Sequence, residues 1–374
     1  MGSCWKPPYD GAGPRWHFPY EPLRMLLAGS WKAKQLWKLF DERSSRPDYA
    51  EASCAGGRLQ GRRVCVIGAG PCGLRAAIEL RLLGAEVTVL EMREEFSRIN
   101  QLHLWHWCGQ DLKGLGARYF EPPPLDFGAN PDKLHIGIGD LQTLLFKAAL
   151  LFGVEVLLGA QYGGVERSSG GSGTWMVRIN RKGKAASAED APPPPSPRAP
   201  SVLRDVAVLI NATGFGTDVG SGLGIKSVCV DHVQSDKAIG LVCNFERTNS
   251  VEEQSMRSYS LARQYFQRLF QEVGRETGVE LENIVYVKAQ ASHYFVMTPS
   301  AKSLVDCGVI RDRFHRPLLE ASNLDRPALD ALVRRVIGHR LKKGEPTLLE
   351  AAPELRFVAG GPRVFDFSQM HRAA

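Results

Sequence analysis

The sequence predicts an α/β protein: a parallel sheet flanked by helices, with a smaller β-rich domain inserted into it. Three observations carry this. Val64 to Ile67 is an apolar run followed at once by Gly68-Ala69-Gly70-Pro71-Cys72-Gly73 and a helical pattern. Ala85 to Leu90 is a second apolar run, closed by the acid Glu91. Val206 to Gly214 (VAVLINATG) is a third, ending in Ala-Thr-Gly. Strand, glycine turn, helix, strand and terminal acid in this order form a dinucleotide-binding βαβ unit of the Rossmann-like (GxGxxG) kind.

Each residue type in that unit has a physical task. Gly68 allows the tight turn, Gly70 lets backbone approach a pyrophosphate, and Gly73 lets the helix lie close to the strand. The helix predicted from Pro71 to Leu83 starts on a proline, where a missing N–H costs nothing. Its free amides and dipole face the phosphates. Glu91 is placed to accept from a ribose 2′-hydroxyl, and its charge disfavours a 2′-phosphate. Arg93 nearby is read as a solvated charge or an adenine stack. The site therefore suits the adenosine of FAD or NAD. The Ala-Thr-Gly return, common where a flavoprotein chain re-enters the nucleotide-binding sheet, favours FAD. A plain buried strand with a turn glycine is the simpler alternative for that segment.

The other elements follow in order. Residues 1 to about 30 lack periodicity and are expected to be irregular. Trp31 to Arg43 (WKAKQLWKLFDER) has Trp31, Leu36, Trp37, Leu39 and Phe40 at helical spacing, an amphipathic helix expected to pack on the nucleotide-binding domain. Phe96 to Trp107 reads as a loop and the start of an apolar helix, and Leu112 to Leu115 with Pro122 to Pro124 as a connection. Asp140 to Phe152 predicts a helix capped by Asp140 and stopped by Gly153. Val154 to Leu158 and Trp175 to Ile179 read as strands around a Ser/Gly turn, with Cys72 and Cys65 filling small apolar places in the first unit. Pro192 to Pro200 is a low-complexity loop. Ala238 to Phe245 is a strand, Val251 to Thr277 mainly helix, and Ile284 to Lys288 with His293 to Thr298 a strand pair. Asp325 to Lys343 is a basic helix, by default a solvated face, otherwise a binding patch. These give an irregular segment and helix over 1–60, an FAD-binding part over 61–228, an inserted smaller domain over 229–361 and a return over 362–374.

Composition narrows the class. The 374 residues are 44% hydrophobic, as in a soluble globular protein, and carry a net charge of +7. That charge suits an acidic partner, but no nucleic-acid-binding signature accompanies it. The eight cysteines are scattered without a CxxC pair and read as reduced thiols of an intracellular protein. No run is long enough to span a bilayer, no secretory signal is visible, and Lys6 stands where acylation at Gly2 expects Ser or Thr. His103, His135 and His293 show no ligand spacing, so no metal site is expected.

Four passages resemble the flavoprotein monooxygenase domain of the MICAL family. They are Val64 to Arg98, LHLW at Leu102 to Trp105 followed by DLKGLGARYF, Leu141 to Val156, and TGVELENIVYVKAQASHYFVMT at Thr277 to Thr298. LWKLFDER and FDFSQM, at Phe365 to Met370, are weaker echoes. The resemblance implies an FAD-dependent monooxygenase that uses NADPH and oxidises methionines of filamentous actin, in the cytoplasm at the cytoskeleton. By position it implies flavin contacts at Cys72, at Glu91, Met92 and Arg93, at Arg98, Ile99 and Asn100, and at Tyr162 and Tyr294. From sequence alone both tyrosines are strand residues filling a core. Met92 departs from the family's usual Lys, Ile99 from a polar residue, and His106-Trp107 from Pro-Phe. In the family a second, Gly-Asp flavin element and the calponin-homology and LIM modules lie beyond the position of Ala374, so the chain reads as a truncated relative. Two rival expectations stay open: an FAD-dependent hydroxylase of a small organic substrate, and a non-catalytic cytoskeletal interaction protein.

Overall fold

The computed structural model describes residues 18–49, 59–120, 133–168, 173–181, 201–214, 219–225, 227–229, 239–341, 344–366 and 371–373. Its strands in chain order are β1 (Arg63–Ile67), β2 (Glu86–Glu91), β3 (Gln101–Trp105), β4 (Lys133–Gly137), β5 (Glu155–Leu158), β6 (Ala160–Arg167), β7 (Trp175–Arg181), β8 (Val202–Asn211), β9 (Ser227–Cys229), β10 (Ile239–Phe245), β11 (Tyr259–Ala262), β12 (Leu281–Lys288), β13 (His293–Pro299), β14 (Phe357–Asp366) and β15 (His371–Ala373). The chain divides into two compact units.

The first unit draws on Met1–Ser97, Gln110–Arg118 and Gly139–Lys226. Its sheet has the order β5-β2-β1-β8-β7-β6. The β1–β2, β1–β8 and β2–β5 pairs are parallel, so both central strands are buried on two faces and read as continuous Val/Ile/Leu runs. β7 and β6 extend the sheet antiparallel. β6 carries Tyr162, expected as a strand residue, but its bounds were not predicted, because its Gly-rich, half-exposed residues do not alternate cleanly.

The helix Trp31–Ser44 forms as expected, with Ser30 Oγ accepting from the Ala33 amide at 3.3 Å. It buries Trp37, Phe40 and Arg43 and leaves Trp31 exposed. Trp37 and Phe40 join Phe18, Tyr20 and Phe152 in an aromatic cluster with ring centroids 4.5 to 6.2 Å apart. The first of these rings flank a helix, Tyr20–Leu26, in a segment expected to be irregular. Tertiary packing of Tyr20 explains a helix too short for local periodicity to reveal. Buried Arg43 donates to Asp111 Oδ1 at 2.8 Å, and Arg75 on the helix Pro71–Leu82 donates to the same carboxylate at 2.8 Å. One acid thus ties two cationic side chains together, which is how a charge as buried as Arg43 is tolerated.

The second unit draws on Arg98–Gly109, Tyr119–Ile138 and Ser227–Ala374. Its main sheet, β11-β12-β13-β10-β14, is antiparallel throughout. Leu241, Cys243, Phe245, Ile284, Tyr286, Phe295 and Met297 line one face and pack against the helices Gln267–Thr277 and Arg326–Ile337. The other face carries Val285, Val287 and Tyr294. Separate two-stranded pieces are β3–β4 and β9–β15.

Several expectations are corrected. LHLW lies in strand β3, paired residue for residue with β4, and the helix begins only at His106. Leu112 belongs to that helix, His106–Lys113. The next helix starts at Ile138, so Asp140 lies inside its first turn and is not its cap. The stretch Val251 to Thr277 is broken by β11, because Tyr259–Ala262 pairs with β12. The basic helix runs only Arg326–Ile337, with Asp325 Oδ1 accepting from the Ala328 amide at 3.0 Å. Pro122 to Pro124, Pro192 to Pro200, Lys342, Lys343 and residues 367–370 lie outside the described residues.

Candidate functional site

In the first unit the glycine turn is built by close contact. Gly68 sits at φ +104°, and a Cβ there would lie 2.6 Å from the Ala212 carbonyl oxygen. The Ala-Thr-Gly segment at the end of β8 thus packs directly on the turn. A Cβ at Gly73 would lie 2.0 Å from the Gly68 carbonyl oxygen, so only glycine lets the helix sit this close to β1. Gly70 differs: a Cβ there would meet nothing within 4 Å. It is the N-cap of the helix Pro71–Leu82, and no side chain caps that helix. The first amides are therefore left for an anion, at the positive end of the helix dipole.

Glu91 lies beneath this opening, 4% exposed. Its Oε2 accepts from the Ala69 amide at 2.9 Å and its Oε1 from the Arg93 amide at 2.9 Å. The carboxylate ties the glycine turn to the end of β2 and retains lone pairs for a further donor. Arg93 Nη1 stands 3.6 Å from it, with the side chain half exposed, and Met92 is exposed beside it. Cys72 is an exposed free thiol, not the packed small residue expected; Cys65 on β1 is buried. Tyr162, on β6, packs partly buried against the sheet core, and burial raises its pKa.

Gln142 was not foreseen. Its Nε2 donates to the Ala69 carbonyl at 3.1 Å, so the turn is held from both sides, by Glu91 and by Gln142. Its Oε1 is buried without a hydrogen-bond partner among the described residues. The available signal was a polar residue on the apolar face of a helix.

In the second unit, Arg98 is exposed and Ile99 half-buried. Asn100 Oδ1 accepts from Asn244 Nδ2 at 2.8 Å, and Asn244 Oδ1 accepts from Ser292 Oγ at 3.0 Å. Asn244 pairs in register with Tyr294 across β10 and β13. Asn100 and Tyr294 are thus brought to one sheet face through Asn244, which sequence reading missed. Tyr294 is 5% exposed, and burial pushes its pKa up to about 12.

The preceding residue on β13, His293, faces the opposite side. Its Nδ1 lies 2.8 Å from the Tyr286 hydroxyl and its Nε2 3.4 Å from Glu253 Oε1. Glu253, fully buried, also accepts from Arg247, from the Thr248 amide at 2.7 Å and from the Thr248 hydroxyl at 2.6 Å. Burial lowers the His293 pKa to about 4, with Glu253 only partly opposing it. Burial also disfavours the Glu253 carboxylate, but the Thr248 and Arg247 hydrogen bonds outweigh that and hold its pKa at about 2. This cluster lies against the inner strands β12 and β13, with Glu253, Tyr286 and His293 fully buried, and presents no open face. No group of three or more His, Cys, Asp or Glu suited to a metal occurs among the described residues. No described helix is long and apolar enough to cross a membrane.

The residues of the first unit fit a dinucleotide of the FAD kind on three counts: open space at Gly70, uncapped helix amides, and a buried carboxylate below them.

Comparison with known proteins gives the family. A profile described as "Mical, Rossman domain" matches residues 237–350, and one described as "Pyridine nucleotide-disulphide oxidoreductase" matches residues 38–116. The F-actin monooxygenase MICAL1 of Rattus norvegicus is 38% identical over 352 residues, 92% of this chain and 30% of that protein. The corresponding Danio rerio protein is 39% identical over 96% of this chain and 27% of its own length. F-actin monooxygenase Mical of Drosophila melanogaster is 36% identical over 95% of this chain and 7% of its own length. The chain spans about a third or less of the length of these relatives. Among solved structures, the flavin-dependent monooxygenase PieE, in complex with FAD and substrate, superposes with a TM-score of 0.50. It covers 84% of this chain and 51% of that one at 15% identity, a likeness of fold. With its sheet built as in flavin monooxygenases and its sequence matched nearly end to end, the chain belongs to the MICAL family.

Proposed function

We propose that this chain is the FAD-dependent monooxygenase part of an enzyme that takes electrons from NADPH and oxidises methionines of filamentous actin, in the cytoplasm at the cytoskeleton. One observation carries the reading: the chain aligns over 92% of its length, at 38% identity, with a protein named as an F-actin monooxygenase. The shape of the glycine turn agrees with it. When bound and reduced, FAD would supply the electrons that activate molecular oxygen, one atom of which goes to a thioether as a sulfoxide while the other leaves as water.

The chain's own residues bind and orient. The amides at the start of the helix Pro71–Leu82, including those of Cys72 and Gly73, would hold the pyrophosphate over Gly70. Glu91 would accept from the ribose, with Met92 and Arg93 flanking the adenosine. Arg98, Ile99 and Asn100 would contact the flavin, Asn100 being held by Asn244, itself fixed by Ser292. Tyr162 and Tyr294 would each supply an aromatic face and a hydroxyl that stays protonated at neutral pH. The stretch 229–361 would serve as the smaller domain of the enzyme.

The test is direct. Incubation with FAD, NADPH and actin filaments should yield methionine sulfoxide in actin, read by mass spectrometry, with NADH a poorer reductant. Tight flavin binding without sulfoxide, together with NADPH use driven by a small aromatic compound, would favour the small-molecule hydroxylase. Failure to bind flavin at all would favour the non-catalytic interaction protein.

A further inference from the structure

The basic helix, expected to be a solvated face or otherwise a binding patch, uses two of its arginines within its own fold. Arg334 donates to the Leu355 carbonyl at 3.1 Å and lies 5.0 Å over the Phe357 ring, while Arg326 donates to the Pro362 carbonyl at 3.0 Å. Arg340, past the helix end, forks onto Glu350 at 2.7 and 2.9 Å. Arg335 is the helix's exposed cation, and further exposed basic surface lies in the loop Arg311-Asp312-Arg313-Phe314-His315-Arg316, where Arg311 is paired with Asp325 at 3.5 Å.

That loop is exposed yet firmly held. Asn323, 4% exposed, accepts from the Asp312 amide and donates to the Asp312 and Leu318 carbonyls, each at 2.9 Å. Asp312 Oδ1 accepts from the Phe314 amide at 2.8 Å, and His315 meets Glu320 at 2.6 Å. At the tip, Phe314 is 72% exposed with the Arg313 guanidinium 4.6 Å over its ring. Arg316 is turned onto the backbone carbonyls of Arg313 and His315 through one nitrogen, Nη1. Among the described residues, neither Arg313 nor Arg316 has a carboxylate partner.

We propose that this loop docks an acidic protein surface and that, on the function proposed above, the surface is the actin filament. The chemistry fits a protein. Arginine forks match carboxylates in two-point geometry, and a bare aromatic beside them is the composition of an interface hot spot. A loop already braced by Asn323 loses little freedom on binding. The scale also fits: an anionic membrane calls for a cluster of about four to eight cations, whereas this loop offers two arginines without a carboxylate partner, Arg313 and Arg316, beside one exposed ring, Arg311 being paired with Asp325.

Co-sedimentation with actin filaments tests this, comparing the unaltered chain with Arg313→Glu/Arg316→Glu and with Phe314→Ala. All three positions are exposed and outside the core, so melting temperature should be unchanged. The expected result is a loss of filament affinity of about tenfold or more for the charge reversal, and a smaller loss for Phe314→Ala. Lys34→Glu/Lys38→Glu, the same charge change on the exposed face of the helix Trp31–Ser44, should leave affinity within about twofold. Equal losses in both pairs would make net charge the cause and overturn the proposal. So would unchanged affinity in the loop variants, or no filament binding by the unaltered chain. Loss of binding to phosphatidylserine vesicles with filament binding intact would overturn it in favour of a lipid. The methionine sulfoxide assay is read separately, so a failed loop leaves the enzymatic reading standing.

Discussion

Substituting Gly70 by alanine separates folding from cofactor binding. Gly70 has φ −68° and ψ 171°, a conformation open to any residue, and an added Cβ meets nothing within 4 Å. The folded chain without cofactor should therefore tolerate the methyl group. Removing a glycine narrows the unfolded ensemble, so stability should stay level or rise by about 0.4 to 1 kcal/mol. The same methyl stands in the space over the helix amides where the pyrophosphate would lie. Displacing a close backbone contact by a methyl group costs on the order of 1 to 3 kcal/mol, a loss of about five- to 150-fold in FAD affinity. Gly73→Ala is the contrasting variant. Its Cβ would lie 2.0 Å from the Gly68 carbonyl, so it should destabilise the fold itself, by about 1 to 3 kcal/mol. Urea unfolding of the cofactor-free chain and fluorescence titration with FAD measure the two effects apart. A Gly70→Ala chain that binds FAD as tightly as the original would refute the placement of the pyrophosphate. One destabilised by more than about 1 kcal/mol would refute the reading of Gly70 as open.

Three further outcomes are expected. Glu91→Ala should weaken FAD binding by about 1.5 to 3 kcal/mol and also lower stability, because the Ala69 and Arg93 amides lose their acceptor; unchanged affinity in a titration would contradict the ribose assignment. The second unit should lose stability as pH falls from about 6.5 to about 4, because the unfolded chain takes up a proton at His293 before the folded one does. The loss is on the order of 3 kcal/mol, a further decline follows as Glu253 protonates toward about pH 2, and a flat urea-unfolding profile between pH 7 and pH 5 would count against it. Asp111→Ala should destabilise by about 3 kcal/mol or more, since it strands buried Arg43; a melting temperature within experimental error of the original would show that the pair carries no such weight.

The local sequence determined the βαβ unit almost to the residue. β1, the helix from Pro71, β2 and β8 follow from apolar runs, a proline and glycines whose effects act within a few residues. The reasons for Gly68 and Gly73 were legible too, because a glycine turn before a helix has few uses. What escaped the sequence depended on partners far along the chain. LHLW becomes a strand because residues 133–137 supply its pairing, and Tyr259–Ala262 because β12 does. Hydrogen-bonding partners of that kind override local periodicity, which is blind to them. The same holds for side chains. Gln142 reaches the turn from 73 residues away and Asn244 reaches Asn100 across 144. Arg334 turned inward while Arg313 and Arg316 stayed outside, although all are arginines in basic stretches. Composition records only that such groups exist. Which of them meet, and which are left facing solvent, was decided by the packing of sheets and helices around cores that the chain forms only when folded.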